Sequence, residues 1–178
     1  MRCFLVLKCY AAAWSFRASH LNWALTGSVS IKEIILDIDY GYIKEVLEEI
    51  KQGQSPYVQS GDLFKKHLNV DDSYSQKFVF HWHLIVENGF ISTNTSSIYD
   101  LKESGLIPSP QNPMHFMING KPIRLTTIGV EFLQSLNEPK VLEVIQDKFK
   151  NEGLSAVFDI SKQLTMKILN KKLDSIDI

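Results

Sequence analysis

The stretch that most limits how this chain can fold is Phe78-Val79-Phe80-His81-Trp82-His83-Leu84-Ile85-Val86, an apolar run broken only by His81 and His83. Such a run has to be buried, so its conformation governs the core around it. It alternates like a strand through Phe78, Phe80, Trp82 and Leu84, and it also carries a helical stripe at Phe78, Trp82, Ile85 and Val86. Its ends decide between the two. Ser73 followed by Gln76 has the spacing of a capping box, in which each side chain satisfies the other's free backbone donor. Asn88-Gly89 supplies the left-handed residue that commonly terminates a helix. The reading is a helix over about 74–88.

The periodicity upstream is plainer. Ile43, Val46, Leu47 and Ile50 fall on one helical face with Lys44, Glu45, Glu48 and Glu49 on the other, Asp39 is placed to cap the first turn, and Gly53 ends the pattern. After a loop at Ser55-Pro56, Ser60 is expected to cap a short helix carrying Leu63, Phe64 and Leu68. Phe90-Ile91 begin a strand, and a polar insertion over 92–113 follows. His115–Ile118 and Pro122–Leu125 then flank Asn119-Gly120-Lys121, which reads as a hairpin because Asn-Gly favours positive φ. Thr126 or Thr127 caps a helix through Phe132 and Leu133, and Pro139 opens another. Ser155 is expected to cap the last helix, with Val157, Ile160, Leu164 and Ile168 on one side. The expected core is Ile43, Leu47, Ile50, Leu63, Phe64, Trp82, Ile85, Leu125 and Phe132.

Residues 1–30 contain Arg2, Lys8 and Arg17 but no Asp or Glu, and lack either period. They read as an extension outside the core; a cleavable signal is the alternative, since Met1-Arg2 precede an apolar stretch reaching Ala13. No apolar run there approaches the roughly 20 residues of a spanning helix. The expected organisation is an N-terminal extension over 1–30, a domain over 31–136 with its inserted loop, and a helical extension over 137–178. Cys3 and Cys9 are the only cysteines in the 178 residues, which argues against a disulfide scaffold and for a reducing, cytoplasmic setting.

The order helix, short helix, longer helix, strand, hairpin and helix predicts an α+β, mainly α fold: a winged helix-turn-helix-like domain with two additional C-terminal helices. Three segments carry a family resemblance: Ile38–Ile50, His83–Ile91 and Arg124–Leu133. In order and character they resemble the family called domain of unknown function 2513, small bacterial proteins of phage and prophage type. The resemblance spans about residues 36–172; the insertion at 92–113 and Gly41 within the first helix depart from the family pattern. It implies a winged-helix-like fold and a mobile-element setting in a bacterial host cell, and nothing catalytic.

The chemistry legible in the residues is sparse. His81 and His83 stand two apart, so on a helix they point to different sides and cannot share a metal. Asp71-Asp72 and Glu48-Glu49 suit a helix start and a solvated face better than acid–base catalysis. No phosphate-binding Gly-rich loop and no G-x-S-x-G turn occurs. We therefore expect no enzyme activity, metal or cofactor. Duplex DNA is the first expected partner, bound by a regulator of transcription through Lys65, Lys66, Lys77, His81, Lys121 and Arg124. Charge argues the other way: 19 Lys plus Arg face 20 Asp plus Glu, a net −1. The alternative is a non-enzymatic protein-interaction module of a mobile element, of host-takeover or anti-defence type. It would act as a homodimer or through another chain, with Val157, Ile160, Leu164 and Ile168 as its interface.

Overall fold

The computed structural model describes residues 36–68, 72–112 and 115–176, with side chains in the third helix described from residue 76 onward. The expectations for residues 1–30 lie outside the described residues. The elements in chain order are α1 (Tyr40–Lys51), β1 (Val58–Gln59), α2 (Ser60–Leu68), α3 (Asp72–Glu87), β2 (Ile91–Thr93), α4 (Leu101–Ser104), β3 (Leu106–Pro108), β4 (Phe116–Ile118), β5 (Pro122–Leu125), α5 (Thr127–Asn137), α6 (Pro139–Lys148) and α7 (Leu154–Asp174). The fold is α+β and mainly helical.

Local chemistry accounts for several helix ends. The Asp39 carboxylate accepts from the Tyr42 N–H at 3.0 Å and starts α1. The run 78–86 is helical, and its end is a Schellman motif: Gly89 at φ +67° donates to Val86 O at 2.9 Å, and Phe90 N–H to Ile85 O at 3.1 Å. Thr126 caps α5, its hydroxyl accepting from Gly129 N–H at 3.1 Å, and Pro139 occupies the first turn of α6. Three expected caps differ. α3 already includes Asp72 and Ser73, so Ser73 lies inside the helix. Ser60 begins α2 but its hydroxyl is drawn away, donating to Ser104 O at 2.8 Å and accepting from Lys121 N–H at 3.0 Å. α7 starts at Leu154 behind Gly153, with no side-chain cap, so Ser155 is within it.

Two small antiparallel sheets hold the remaining chain together. In the first, β5 lies between β1 and β2, with Val58 opposite Ile123 on one side and Ile91 opposite Leu125 on the other. Ile123 and Leu125 point into the core while Arg124 between them is exposed, the two-residue alternation of a half-buried strand. The second sheet pairs β3 with β4, Leu106 opposite Ile118 and Pro108 opposite Phe116.

The expected hairpin of 115–118 with 122–125 therefore does not form. These strands belong to different sheets, and the backbone between them is committed elsewhere: Asn119 N–H donates to Gly105 O at 2.8 Å, and Lys121 O accepts from Ser60 N–H at 2.9 Å. Among the described glycines Gly89 and Gly105 have positive φ, and Gly120 does not. The segment read as an inserted loop supplies the competing partner, because it folds into α4 and β3 and offers β4 a strand within reach.

Every residue expected in the core is buried, with Phe64, Trp82, Ile85 and Phe132 wholly so, and Phe78 joins them. The same cluster continues through Val141, Ile145, Leu154 and Val157, so α6 and α7 pack into the core with α1 and α5. Among the described residues no helix is long and apolar enough to cross a membrane.

Candidate interaction surface on the third helix

α3 is held by contacts on three sides, which leaves a narrow outward face. Phe78, Val79, Trp82, Ile85 and Val86 are buried, Gln76, Phe80 and Leu84 are half-buried, and His83 and Glu87 are exposed. The outward residues 76, 80, 83, 84 and 87 follow helical spacing and form one stripe. His83 Nδ1 lies 3.8 Å from Glu87 Oε1, one turn along. The two histidines of the run thus diverge, His81 inward at 1% exposure and His83 outward at 48% of its side chain.

The residues expected to bind DNA are not brought into one patch. His81 is buried with both ring nitrogens engaged: Nδ1–H donates to Lys77 O at 2.7 Å, and Nε2 accepts from Asp39 N–H at 2.8 Å. It cannot reach a base edge in this arrangement. The Lys77 ammonium is 2.7 Å from Asp39 Oδ2 and 4.5 Å from the centre of the Tyr42 ring, so it serves the junction of α1 and α3. Lys65 is 3.5 Å from Asp62, and Lys66 pairs with Glu49. Lys121 stands at the start of α2 and Lys65 and Lys66 in its last turn, so these cations occupy opposite ends of that helix. Lys121 and Arg124 make no ion pair among the described residues; Arg124 Nη1 donates to Leu125 O at 3.1 Å.

Behind α3 lies a polar network that the sequence reading did not single out. Tyr42 Oη is 2.9 Å from His67 Nδ1, and His67 Nε2 is 3.2 Å from Glu49 Oε2. A hydroxyl, an imidazole and a carboxylate in that order look like an activated nucleophile. Tyr42 and His67 are only 5% and 1% exposed, however, so no substrate reaches the phenol. Burial pushes the Glu49 carboxyl up, but hydrogen bonds from Lys66 and His67 outweigh it and hold the group below the usual range. Asp39 behaves alike: burial raises it, while Lys77 and the Tyr42 amide bring it below its ordinary value. Burial, with the Glu152 charge, pushes Tyr40 up to about 12, and its hydroxyl donates to Glu152 O at 2.6 Å. Helical spacing alone could have placed Tyr42 with His67 only if the packing of α1 on α2 were known.

The network makes stability depend on pH in a defined direction. Burial, aided by the Lys77 charge, pulls His81 below its ordinary value of 6.5, against the opposing pull of Lys77 O and Asp39. The unfolded chain therefore takes up the proton first. Stability from this group is complete above about pH 6.5 and is lost as pH falls toward the folded value, with a slope of at most about 1.4 kcal/mol per pH unit. Asp39 and Glu49, also lowered, add a second decline below their ordinary 3.8 and 4.5. Urea unfolding at a series of pH values checks this: the slope between pH 6.5 and 5 should be smaller in His81→Gln than in the wild type, and equal slopes would remove His81 from the account.

Two other features fall short of a site. An open groove of about 960 Å³ beside α6 is lined by both signs of charge, including Lys44, Lys140, Glu143 and Asp147. Nothing converges there as a nucleophile and base. Among the described residues no three His, Cys, Asp or Glu side chains are grouped to hold a metal ion.

The residues expected as an interface on α7 are divided by the fold. Val157 is fully buried, Leu164 and Ile168 are half-buried against the core, and Ile160 is half-buried. That stripe docks α7 onto the domain.

Compared with protein-family models, with curated proteins and with solved structures, the chain matches none. Fold and surface together define a mainly helical α+β domain in which α4, β3 and β4 lie between the second and fifth strands.

Proposed function

We propose that this chain is a winged-helix-type adaptor that acts by binding another protein, non-enzymatically, with the outward face of α3 as its contact surface. The order helix, strand, two helices, strand, insertion, strand, with the last strand central in the sheet, supports the winged-helix reading. In that arrangement α3 is the recognition helix, and the insertion with α4, β3 and β4 replaces the simple wing.

The observation that carries the protein-binding reading is the charge of α3. Its one Lys or Arg is Lys77, already paired with Asp39, while Asp71 and Asp72 precede or open the helix and Glu87 ends it. A helix presented to a phosphate-lined groove needs donors and cations, and this face offers Phe80, Leu84 and a His83–Glu87 pair instead. Apolar side chains rimmed by polar ones suit a protein surface. The bacterial cytoplasm and a phage or prophage origin belong to the same proposal and rest on the resemblance of the three segments.

Duplex DNA is the second reading, favoured by the strand order and by Lys121 and Arg124, which pair with no acid among the described residues. Fluorescence anisotropy with a labelled duplex in about 50 mM salt separates the two. The adaptor reading expects no binding up to roughly 100 μM protein, at the weak end of non-specific affinity. Binding that falls steeply with salt, and weakens further in a Lys121→Ala, Arg124→Ala variant, would establish DNA as the partner.

A further inference from the structure

A second apolar stripe on α7 is left exposed among the described residues. Met166, Leu169, Leu173 and Ile176 are 52%, 45%, 62% and 57% exposed. Ile176 continues the last turn, its N–H donating to Leu173 O at 3.0 Å. Their spacing of three, four and three is that of a helix–helix seam, and it reads the same in both chain directions. Such a stripe is complementary to itself, which is the requirement for an isologous two-fold contact.

We propose that two copies of this chain associate through that stripe, independently of what α3 binds. The charges beside it favour a second copy over an ionic partner. Lys162 is 3.3 Å from Glu131 and Lys172 is 3.6 Å from Glu138, so the margin facing α5 is neutralised within one molecule. At about 100° per residue, Lys167 and Lys171 fall on the far side of α7 from the stripe. The edge therefore neither repels an identical edge nor draws an acidic helix or an anionic lipid. The area points to a modest affinity. Four large side chains about half exposed leave on the order of 400 Å² of apolar surface, the size at which patches mark contacts. Paired with its own margins, the stripe removes roughly 1,000–1,500 Å² from water in total, the lower end for a specific interface.

Sedimentation velocity of the full chain from about 5 to 500 μM tests the proposal. A reversible monomer–dimer equilibrium is expected, with a dissociation constant on the order of 10–100 μM. Leu169→Glu, Leu173→Glu should be monomeric throughout and, at about 5 μM where the wild type is also mostly monomeric, melt as the wild type does, because both side chains face solvent in the monomer. The milder Leu169→Gln should weaken association about fivefold or more, and it serves if the double variant does not fold. A wild type monomeric at the highest concentration, or a dimer unchanged in a folded double variant, would overturn the proposal. So would a monomer that binds vesicles of anionic phospholipid, since the stripe would then be a lipid contact.

Discussion

Trp82→Ala is expected to lower unfolding free energy by about 3–5 kcal/mol, a large part of what a domain of this size possesses. The indole is completely buried, 5.3 Å from the Phe64 ring in an edge-on contact and 5.5 Å from the nearly parallel Phe78 ring. Removing it opens a cavity that three helix-borne walls cannot close. The indole N–H also donates to Ser104 Oγ at 3.0 Å, and Ser104 belongs to α4, so the same side chain ties the insertion to α3. Trp82→Phe keeps most of the packing and loses that bond, at about 1–2 kcal/mol. Ser104 Oγ retains its own bond to Leu101 O at 2.6 Å, so no hydroxyl is orphaned. Urea unfolding of both variants gives the two numbers. A loss below about 1 kcal/mol for the alanine variant would mean that Trp82 is not the centre of this core.

Gly129→Ala is expected to destabilise the protein by about 2–4 kcal/mol, opposite in sign to the usual effect. Within a helix, glycine to alanine ordinarily stabilises by about 1 kcal/mol. Here an added Cβ would stand 2.2 Å from Phe90 O and 3.0 Å from its carbonyl carbon, which are backbone atoms with nowhere to move. The approach is this close because α5 is bolted to the end of α3. Thr126 Oγ1 donates to Gly89 O at 2.7 Å, and Thr126 N–H donates to Phe90 O at 2.9 Å. Gly153→Ala is the control, since a carbon there meets nothing within 4 Å. Denaturation of both variants decides the matter; a more stable Gly129→Ala would show that α5 does not press on Phe90.

What was legible in the sequence is the part of the fold written in local interactions. The stripe Ile43, Val46, Leu47 and Ile50 buries as its spacing predicts, and all four side chains are 4% exposed or less. Asp39, Thr126, Pro139 and Asn88-Gly89 act within a few residues of themselves, so their residue types suffice to mark helix ends. The run 78–86 is helical for the same reason: its end is sealed by Gly89, whatever packs around it.

The candidate surface was less legible, because what a lysine does depends on what faces it. Lys77 and His81 stand in a helix at the position expected for recognition, yet Asp39 lies 38 residues before Lys77 in sequence and 2.7 Å away in space. That single partner turns the lysine from a candidate for phosphate into a brace between α1 and α3. Lys66 is drawn to Glu49 across the junction of α1 and α2 in the same way.

The sequence alone determined the described helices other than α4, their order and several of their ends, together with the set of side chains too apolar to stay in water. Only the tertiary structure decided that β4 pairs with β3 and not with β5, that Ser60 bonds to Ser104 and Lys121, and that α7 spends Val157 and Leu164 on the core while leaving Leu169 and Leu173 outside. The physical reason is range. A helix closes its hydrogen bonds within four residues, so its signals are carried by neighbours in sequence. A strand, a buried hydroxyl or a helix face instead takes whichever complementary group the packed chain brings nearest, and that group is specified only once the core has formed.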